Sequence, residues 1–331
     1  MTMTVAAESR GGAIPIIDGH TDYLLSLRET GRDFLTESTV GHVDLPRALR
    51  GGLCAMLSAV YIPSDWLPEG ALSYTINAID RLNTIIQRSN GRIVLVREIA
   101  DLQRCIREGI FGAILHYEGA EAIDPDFCFL RLSYQLGLRS LGLTWSRPNI
   151  FAEGVGPLNR ERGLTQLGRE LVRECNRLGI LLDVSHLNEA GFWDVLEYSQ
   201  KPVVASHSNA RALCPVERNL TDDQIRALHQ KGGVIGINFH VGFLVEGATR
   251  PEDVSLNQLI DHIDYIVGLT SIETVALGSD FDGATMPSEL ADAAKLPALI
   301  AALQQRGYDE VAIRKLCYEN WLRVLGAVWV A

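Results

Sequence analysis

The chain contains no run of about 18 or more uninterrupted apolar residues, so it offers no candidate membrane-spanning helix. Its opening, "MTMTVAAESRGGA", lacks a charged start followed by an apolar core and does not read as a signal peptide. Its closing "VLGAVWVA" is too short for a membrane tail or a lipid-anchor signal. A cytoplasmic protein without a membrane partner is expected. Positive charge is in deficit: 30 Lys and Arg stand against 41 Asp and Glu, a formal charge of −11. With no basic stripe to displace counterions from phosphates, a nucleic-acid partner is excluded. The six cysteines (Cys54, Cys105, Cys128, Cys175, Cys214, Cys317) include no C-x-x-C pair. They read as reduced, small apolar core residues rather than as a disulfide framework. No low-complexity linker, charge block or exact repeat divides the chain.

At 331 residues, 47% hydrophobic and 21% charged, the chain suits a large core and is within reach of one α/β barrel. Short apolar runs alternate with helical patterns. Eight strand candidates stand out: "IPIIDGH", "GGLCAMLSAVYI", "GAILHYEG", "SLGLTW", "ILLDVSH", "PVVASHS", "GGVIGINF" and "TVALGSDFD". Near-continuous apolar content marks strands buried on both faces of a parallel sheet. Between them, Leu167, Leu171, Cys175 and Leu178 fall on one helical stripe that Gly179 can close. Leu256, Leu259, Ile260, Ile263, Ile266 and Val267 form another, and Thr221 can cap a helix beginning at Asp222 and Asp223. The segment from 288 onward reads as two or three further helices covering the barrel's end. This alternation predicts an α/β fold, a (β/α)₈ TIM-type barrel. The expected organisation is a flexible segment over 1–12 and one barrel domain over 13–331. The strand count alone leaves a doubly wound sheet open.

Polar residues in these strands collect at the C-terminal ends. "IPIIDGHTDY" stops on His20 and Asp22, whose i, i+2 spacing puts both on one face. Glu118 ends the third candidate, His186 the fifth, His207 the sixth, and Asp280 and Asp282 the eighth. Any one of these suits an ordinary hydrogen-bonded residue. In a barrel, however, such ends converge on the rim that carries the active site, and three histidines with several carboxylates there make a ligand set for zinc or a similar divalent ion. "DVSH" and "ASHS" would bring His186 and His207 onto adjacent strands, about 5 Å apart. A carboxylate between two such groups can bridge ions about 3.5–4 Å apart. The natural partition is His20 and Asp22 on one ion, His186 and His207 on the other, and Glu118 shared.

The other histidines have weaker claims. His262 and His229 are expected at solvated helix positions, and His42 lies in a connecting segment away from any strand end. His116 reads as a packed residue below Glu118, and Asp18 as an orienting group behind His20. His240, just past "GINF", lies on the rim within reach of substrate.

From about residue 14 to 326 the chain resembles the membrane (renal) dipeptidases, binuclear zinc peptidases of the amidohydrolase superfamily with a (β/α)₈ barrel. The likeness is carried by "IDGHTD", "HVDLPRALRGG", "YEGAEAI", "YQLGLRSLGLTW", "GLTQLGRELVRECNRLGILLDVSH", "ASHSNAR", "RNLTDD", "GSDFDG" and "ENWLRVL". The resemblance implies metal ligands at His20, Asp22, bridging Glu118, His186 and His207, the five that strand ends select. It implies an acid/base aspartate at Asp280 and a carboxylate-binding arginine at Arg218, for which the bland reading is an ion pair with Asp222 or Asp223. Where most members carry histidine after "LT" the chain has Trp145, and where the mammalian enzyme has tyrosine it has Phe243. Trp145 and Asn149 thus imply a variant substrate pocket.

The implied cofactors are two Zn²⁺ per subunit, with Mn²⁺ or Co²⁺ as substitutes, and the implied assembly is a homodimer. The implied reaction is hydrolysis of a dipeptide (L-Xaa-L/D-Xaa) by a hydroxide shared between the ions, with Asp280 passing the proton to the leaving amine. Competing readings keep the barrel but change the substrate to another amide or a lactone, or make the chain a non-catalytic binder of a small ligand.

Overall fold

Short runs of Ile, Val, Leu and Ala set off by glycine or proline become strands buried on both faces. The computed structural model describes residues 14–158 and 160–329. Its strands are β1 (Ile16–Thr21), β2 (Leu53–Tyr61), β3 (Ile93–Leu95), β4 (Phe111–Glu118), β5 (Leu138–Gly142), β6 (Leu181–Asp183), β7 (Val203–Val204), β8 (Ile235–Ile237) and β9 (Val275–Leu277). Every ladder between them is parallel. The order β7-β6-β5-β4-β2-β1-β9-β8 is joined end to end by a bridge between Ala205 and Ile235. Ala205 N–H donates to Val234 O at 3.1 Å and Gly236 N–H to Ala205 O at 2.8 Å. The sheet therefore curls into an eight-stranded barrel, and the doubly wound alternative falls away.

β3 is the strand that sequence reading omits. "IVL" is only three residues long, too short to show a period. It pairs with Phe111–Ala113 at the start of β4, while β5 takes up β4 from Leu115 onward.

Register positions the site. Tyr61 pairs with Glu118, Glu118 with Gly142, and Gly142 with Asp183, so the strand ends stand level on one rim. His186, His207 and Asp280 then each lie three residues beyond a strand's last residue, Asp183, Val204 and Leu277 respectively.

The helices follow their capping signals. Thr165 Oγ1 accepts from Gly168 N–H at 3.1 Å to open Gln166–Leu178, and Gly179 closes it in the left-handed conformation. Thr221 and Gln224 form a reciprocal capping box at the start of Asp222–Gln230. Leu256–Leu269 buries Leu259, Ile260, Ile263 and Ile266. It also buries His262, contrary to the solvated position expected, because the segment after β7 and the short helix Val241–Leu244 cover that face too. His262 Nδ1 accepts from Ala210 N–H at 3.1 Å and Nε2–H donates to Leu244 O at 3.0 Å. His229 remains exposed and reaches Thr274 Oγ1 at 2.8 Å.

The C-terminal segment forms Leu296–Arg306, Glu310–Arg314 and Asn320–Val328, with a π-turn over Lys315–Glu319. Trp321, fully buried, donates Nε1–H to Leu277 O at 3.0 Å, and a Cβ on Gly19 would lie 2.4 Å from its ring. Gly19 is what lets this indole seal β1 against β9, and Trp321→Ala would cost about 3–5 kcal/mol through the cavity left behind. No helix among the described residues is long and apolar enough to cross a membrane. The expected flexible segment 1–12 lies outside the described residues.

Candidate metal centre

β1 delivers a fully buried His20 whose ring nitrogens have no hydrogen-bond partner among the described residues. Asp22 Oδ2 lies 3.3 Å and Glu118 Oε1 3.7 Å from His20 Nε2. Glu118 Oε1 is also 2.8 Å from His186 Nε2 and 3.6 Å from His207 Nε2. The last two nitrogens are 2.9 Å apart, and the His20 and His207 rings stack at 3.7 Å. Donor atoms fall into three groups, each within 4.8 Å: His20, Asp22 and Glu118; Glu118, His186 and His207; His20, His207 and Asp280. The first two share Glu118, the partition read from the strand ends. The structure thus brings together His20, Asp22, Glu118, His186, His207 and Asp280.

Groups behind the histidines determine which nitrogen faces inward. Ser146 Oγ lies 2.8 Å from His186 Nδ1, and Ser206 Oγ lies 2.7 Å from His207 Nδ1. Ser206 Oγ–H in turn donates to Asp183 Oδ2 at 2.5 Å. That direction makes Ser206 Oγ the acceptor of the His207 Nδ1 proton and leaves the Nε2 lone pair pointing into the pocket, as a metal ligand requires. His116 sits beneath, its Nδ1 3.0 Å from Ser140 Oγ and its Nε2 3.6 Å from Asp183, outside the three donor groups. Asp18 does not touch the His20 ring. It accepts from Ser279 N–H at 2.7 Å, Ser279 Oγ–H at 2.5 Å and His20 N–H at 3.3 Å, tying β1 to the end of β9 through the backbone.

The electrostatics are those of a cage that favours a cation. Burial raises the Glu118 carboxyl well above its ordinary range, and facing Asp22 pushes it further. Burial also raises Asp280, with Asp22 adding to it. Burial pulls His186 and His207 well below the ordinary imidazole value, aided by Arg218 at the first and His20 at the second. At His20 burial acts in the same sense, but the Glu118 and Asp22 carboxylates outweigh it and leave the ring at about 10. A proton is drawn to the one histidine among the carboxylates, where divalent charge would be better placed. Unpartnered His20, inward-facing Nε2 atoms and opposed carboxylates fit divalent ions with mixed N/O ligands.

A cavity of about 600 Å³ opens on this cage, lined by Asp22, Tyr61, Glu118, Trp145, His186, His240, Phe243 and Asp280 among others. Trp145 packs edge-on to Tyr61 at 5.2 Å and lies 5.7 Å from His186. Arg218 is buried behind His186 and His207 and is not among the residues lining the cavity. Its Nη2 lies 3.1 Å from His186 Nε2, and it donates to Ser208 Oγ and His207 O, both at 3.0 Å, and to Ser185 O. Its Nε has no partner among the described residues, and the Phe243 ring lies 5.5 Å away. Asp222 and Asp223 pair instead with Arg226. Asn149 departs from expectation. Its Nδ2 donates to Leu143 O at 2.7 Å and its Oδ1 accepts from Phe151 N–H at 2.8 Å, so the amide shapes its own loop. It lines a separate cavity of about 620 Å³ with Glu153, Arg160 and Asp194, not the one over the cage.

The model of the membrane dipeptidase family (peptidase family M19) matches residues 11–330. The chain belongs to the membrane dipeptidase family. Among solved structures it is similar to a metallo peptidase from Rhodobacter sphaeroides liganded with a phosphinate mimic of the dipeptide L-Ala-D-Ala. That likeness has 40% identity, covers 96% of this chain and 99% of the other, and has a TM-score of 0.91. The crystal structure of dipeptidase AC, another metallo peptidase, is 42% identical over the same shares, also with a TM-score of 0.91. A curated relative, the dipeptidase tcpJ of Claviceps purpurea, is 31% identical over 94% of this chain and 76% of its own length.

In this dipeptidase-family chain, several residues around the cage escaped sequence reading. Asn238 Nδ2–H holds Asp280 Oδ2 at 2.9 Å. Tyr61, the last residue of β2, lines the cavity. Asp282, read from the sequence beside Asp280 at a strand end, instead turns away from the cage towards Arg32 and His42. A place at the end of the apolar run "LCAMLSAVY" was the available signal for Tyr61. Nothing local marks Asn238.

Proposed function

We propose that this chain hydrolyses the peptide bond of dipeptides at a binuclear zinc centre, with His20 and Asp22 on one ion, His186 and His207 on the other, and Glu118 between them. The single observation that carries the reading is the pair of donor groups sharing Glu118, with the buried His20 ring left without a hydrogen bond. Divalent ions held there would supply a water of lowered pKa and a Lewis acid for the scissile carbonyl. Asp280, one oxygen anchored by Asn238, takes a proton from the attacking water on the other. It delivers that proton to the amine as the C–N bond breaks, so the water's hydroxyl completes the new carboxyl group and its proton the new amine. Arg218, buried beside the cage with an unpartnered Nε, receives the substrate's C-terminal carboxylate. Tyr61, Trp145, His240 and Phe243 form the walls around the two residues.

The R. sphaeroides relative's mimic of L-Ala-D-Ala supports acceptance of a D-residue at the second position. Zinc fits the imidazole–carboxylate set, with Mn²⁺ and Co²⁺ able to replace it. Six free cysteines support a reducing, cytoplasmic setting, and a homodimer is proposed from the sequence resemblance. The test is turnover of L,L- and L,D-dipeptides by the zinc-loaded protein and its Asp280→Asn variant. The variant is expected to retain its metal and lose about 10²–10⁴ in kcat. Wild-type turnover by the variant would remove Asp280 from the chemistry.

A further inference from the structure

The turn that carries Asp280 is an unusual piece of backbone. Asp280 and Asp282 both have left-handed φ values, +65° and +68°, with only Phe281 between them. Side chains bearing a Cβ disfavour this region, so a fold that places two such residues together must hold them there. Gly283 completes the turn: its N–H donates to Asp280 O at 3.1 Å, and a Cβ on it would lie 2.1 Å from Asp22 Oδ2 and 2.6 Å from Asp280 Oδ1.

What holds the turn comes from the other end of the chain. Asp282 Oδ1 accepts from His42 N–H at 2.5 Å, and Asp282 N–H donates back to His42 Nδ1 at 2.9 Å. This two-way pairing needs a neutral His42 with its proton on Nε2. Asp282 Oδ2 accepts from Arg32 Nη2–H. Arg32 is fixed in turn, with Nη1–H on Val43 O at 2.6 Å and Nε–H on Ser26 Oγ at 3.3 Å. Gly41 has φ +73°, and a Cβ there would lie 2.7 Å from the guanidinium, so the segment leading to His42 wraps directly over Arg32. The pair is sealed: the Arg32 side chain is 5% exposed and that of Asp282 1%. A buried ion pair with every donor aimed is a positional device more than a source of stability.

We propose that Arg32, Asp282 and His42 form a clamp that locks the 280–283 turn and thereby aims the Asp280 carboxylate at the reacting centre. They are positioning residues, none of them belonging to the three donor groups. The inference rests on the acid/base role proposed for Asp280. The decisive position is His42, because His42→Ala removes the acceptor of the Asp282 amide, whereas His42→Asn restores an acceptor at the same distance from the backbone.

The experiment compares wild type, His42→Ala, His42→Asn and Asp280→Asn in dipeptide kinetics, bound zinc and amide hydrogen exchange over the 280–283 turn. His42→Ala is expected to lower kcat about 10- to 100-fold with KM within about twofold and zinc unchanged, the loss of a group that acts in the transition state. Exchange at the Asp282 amide is expected to accelerate, and His42→Asn to recover both. If His42→Ala does not fold, Arg32→Lys, which keeps the cation but loses the fork, is expected to give the same split between kcat and KM. Normal kcat and exchange in His42→Ala beside an inactive Asp280→Asn would overturn the clamp alone. An Asp280→Asn enzyme working at wild-type rate would overturn the role of Asp280 and the clamp with it. Parallel loss of zinc and KM without recovery in His42→Asn would reduce His42 to a structural part.

Discussion

At His207 the ring is held from behind by Ser206, and Ser206 by Asp183. Removing Ser206 Oγ deletes the acceptor that keeps the proton on Nδ1 and the lone pair on Nε2. Ser206→Ala is therefore expected to weaken metal affinity about 10- to 100-fold, measured by competition against a chromophoric chelator. Unchanged affinity would mean that packing alone orients the ring. Arg218 makes a different prediction. A charge-assisted hydrogen bond is worth about 1.5–3 kcal/mol, so Arg218→Met should raise KM for free dipeptides about 10- to 100-fold. Dipeptide amides, which lack the carboxylate, should be nearly indifferent; an equal loss on both would deny Arg218 its ligand. The clustering of the cage residues was legible because apolar strand runs end on them. His42 was not, since its partner lies 240 positions away, and Asn149 was misread because an asparagine that bonds its own loop looks the same in sequence as one that faces a substrate.

The helix Leu256–Leu269 shows how a stripe can mislead. Its leucines and isoleucines mark one buried face, but His262 on another is covered too, and stays neutral with Nδ1 accepting and Nε2–H donating. Burial holds this imidazole below its ordinary 6.5. The unfolded chain therefore takes up a proton near pH 6.5 that the native fold takes only at lower pH, so stability falls as pH drops through that window. His262→Gln keeps one donor and one acceptor but does not titrate. Its Tm deficit relative to wild type should shrink between about pH 7.5 and about pH 5. A constant deficit would show that His262 does not couple folding to protons. The cap at Thr221 and the glycine stop at Gly179 were legible locally, because capping is a matter of a few neighbouring residues. Three-residue β3 was not, because its pairing with β4 is decided by where β5 begins.

The barrel as a whole converts separated strand ends into one cage. Parallel register sets Tyr61, Glu118, Gly142 and Asp183 level, and the turns beyond carry His186, His207 and Asp280 inward from that level. Alternation of strand and helix pointed to this architecture, yet closure rests on the contact between Ala205 and Ile235 next to a strand of two residues. No local pattern announces such a contact, which is why a doubly wound sheet stayed open until the fold was in view. The central claim is that the cage binds a pair of divalent ions and that dipeptide hydrolysis depends on them. The most direct measurement is elemental analysis of the purified protein alongside dipeptide turnover, before chelation, after it, and after zinc is returned. The account predicts two ions per chain, activity lost with them, and activity recovered as both sites refill; full turnover by a chelated protein shown to be metal-free would contradict it.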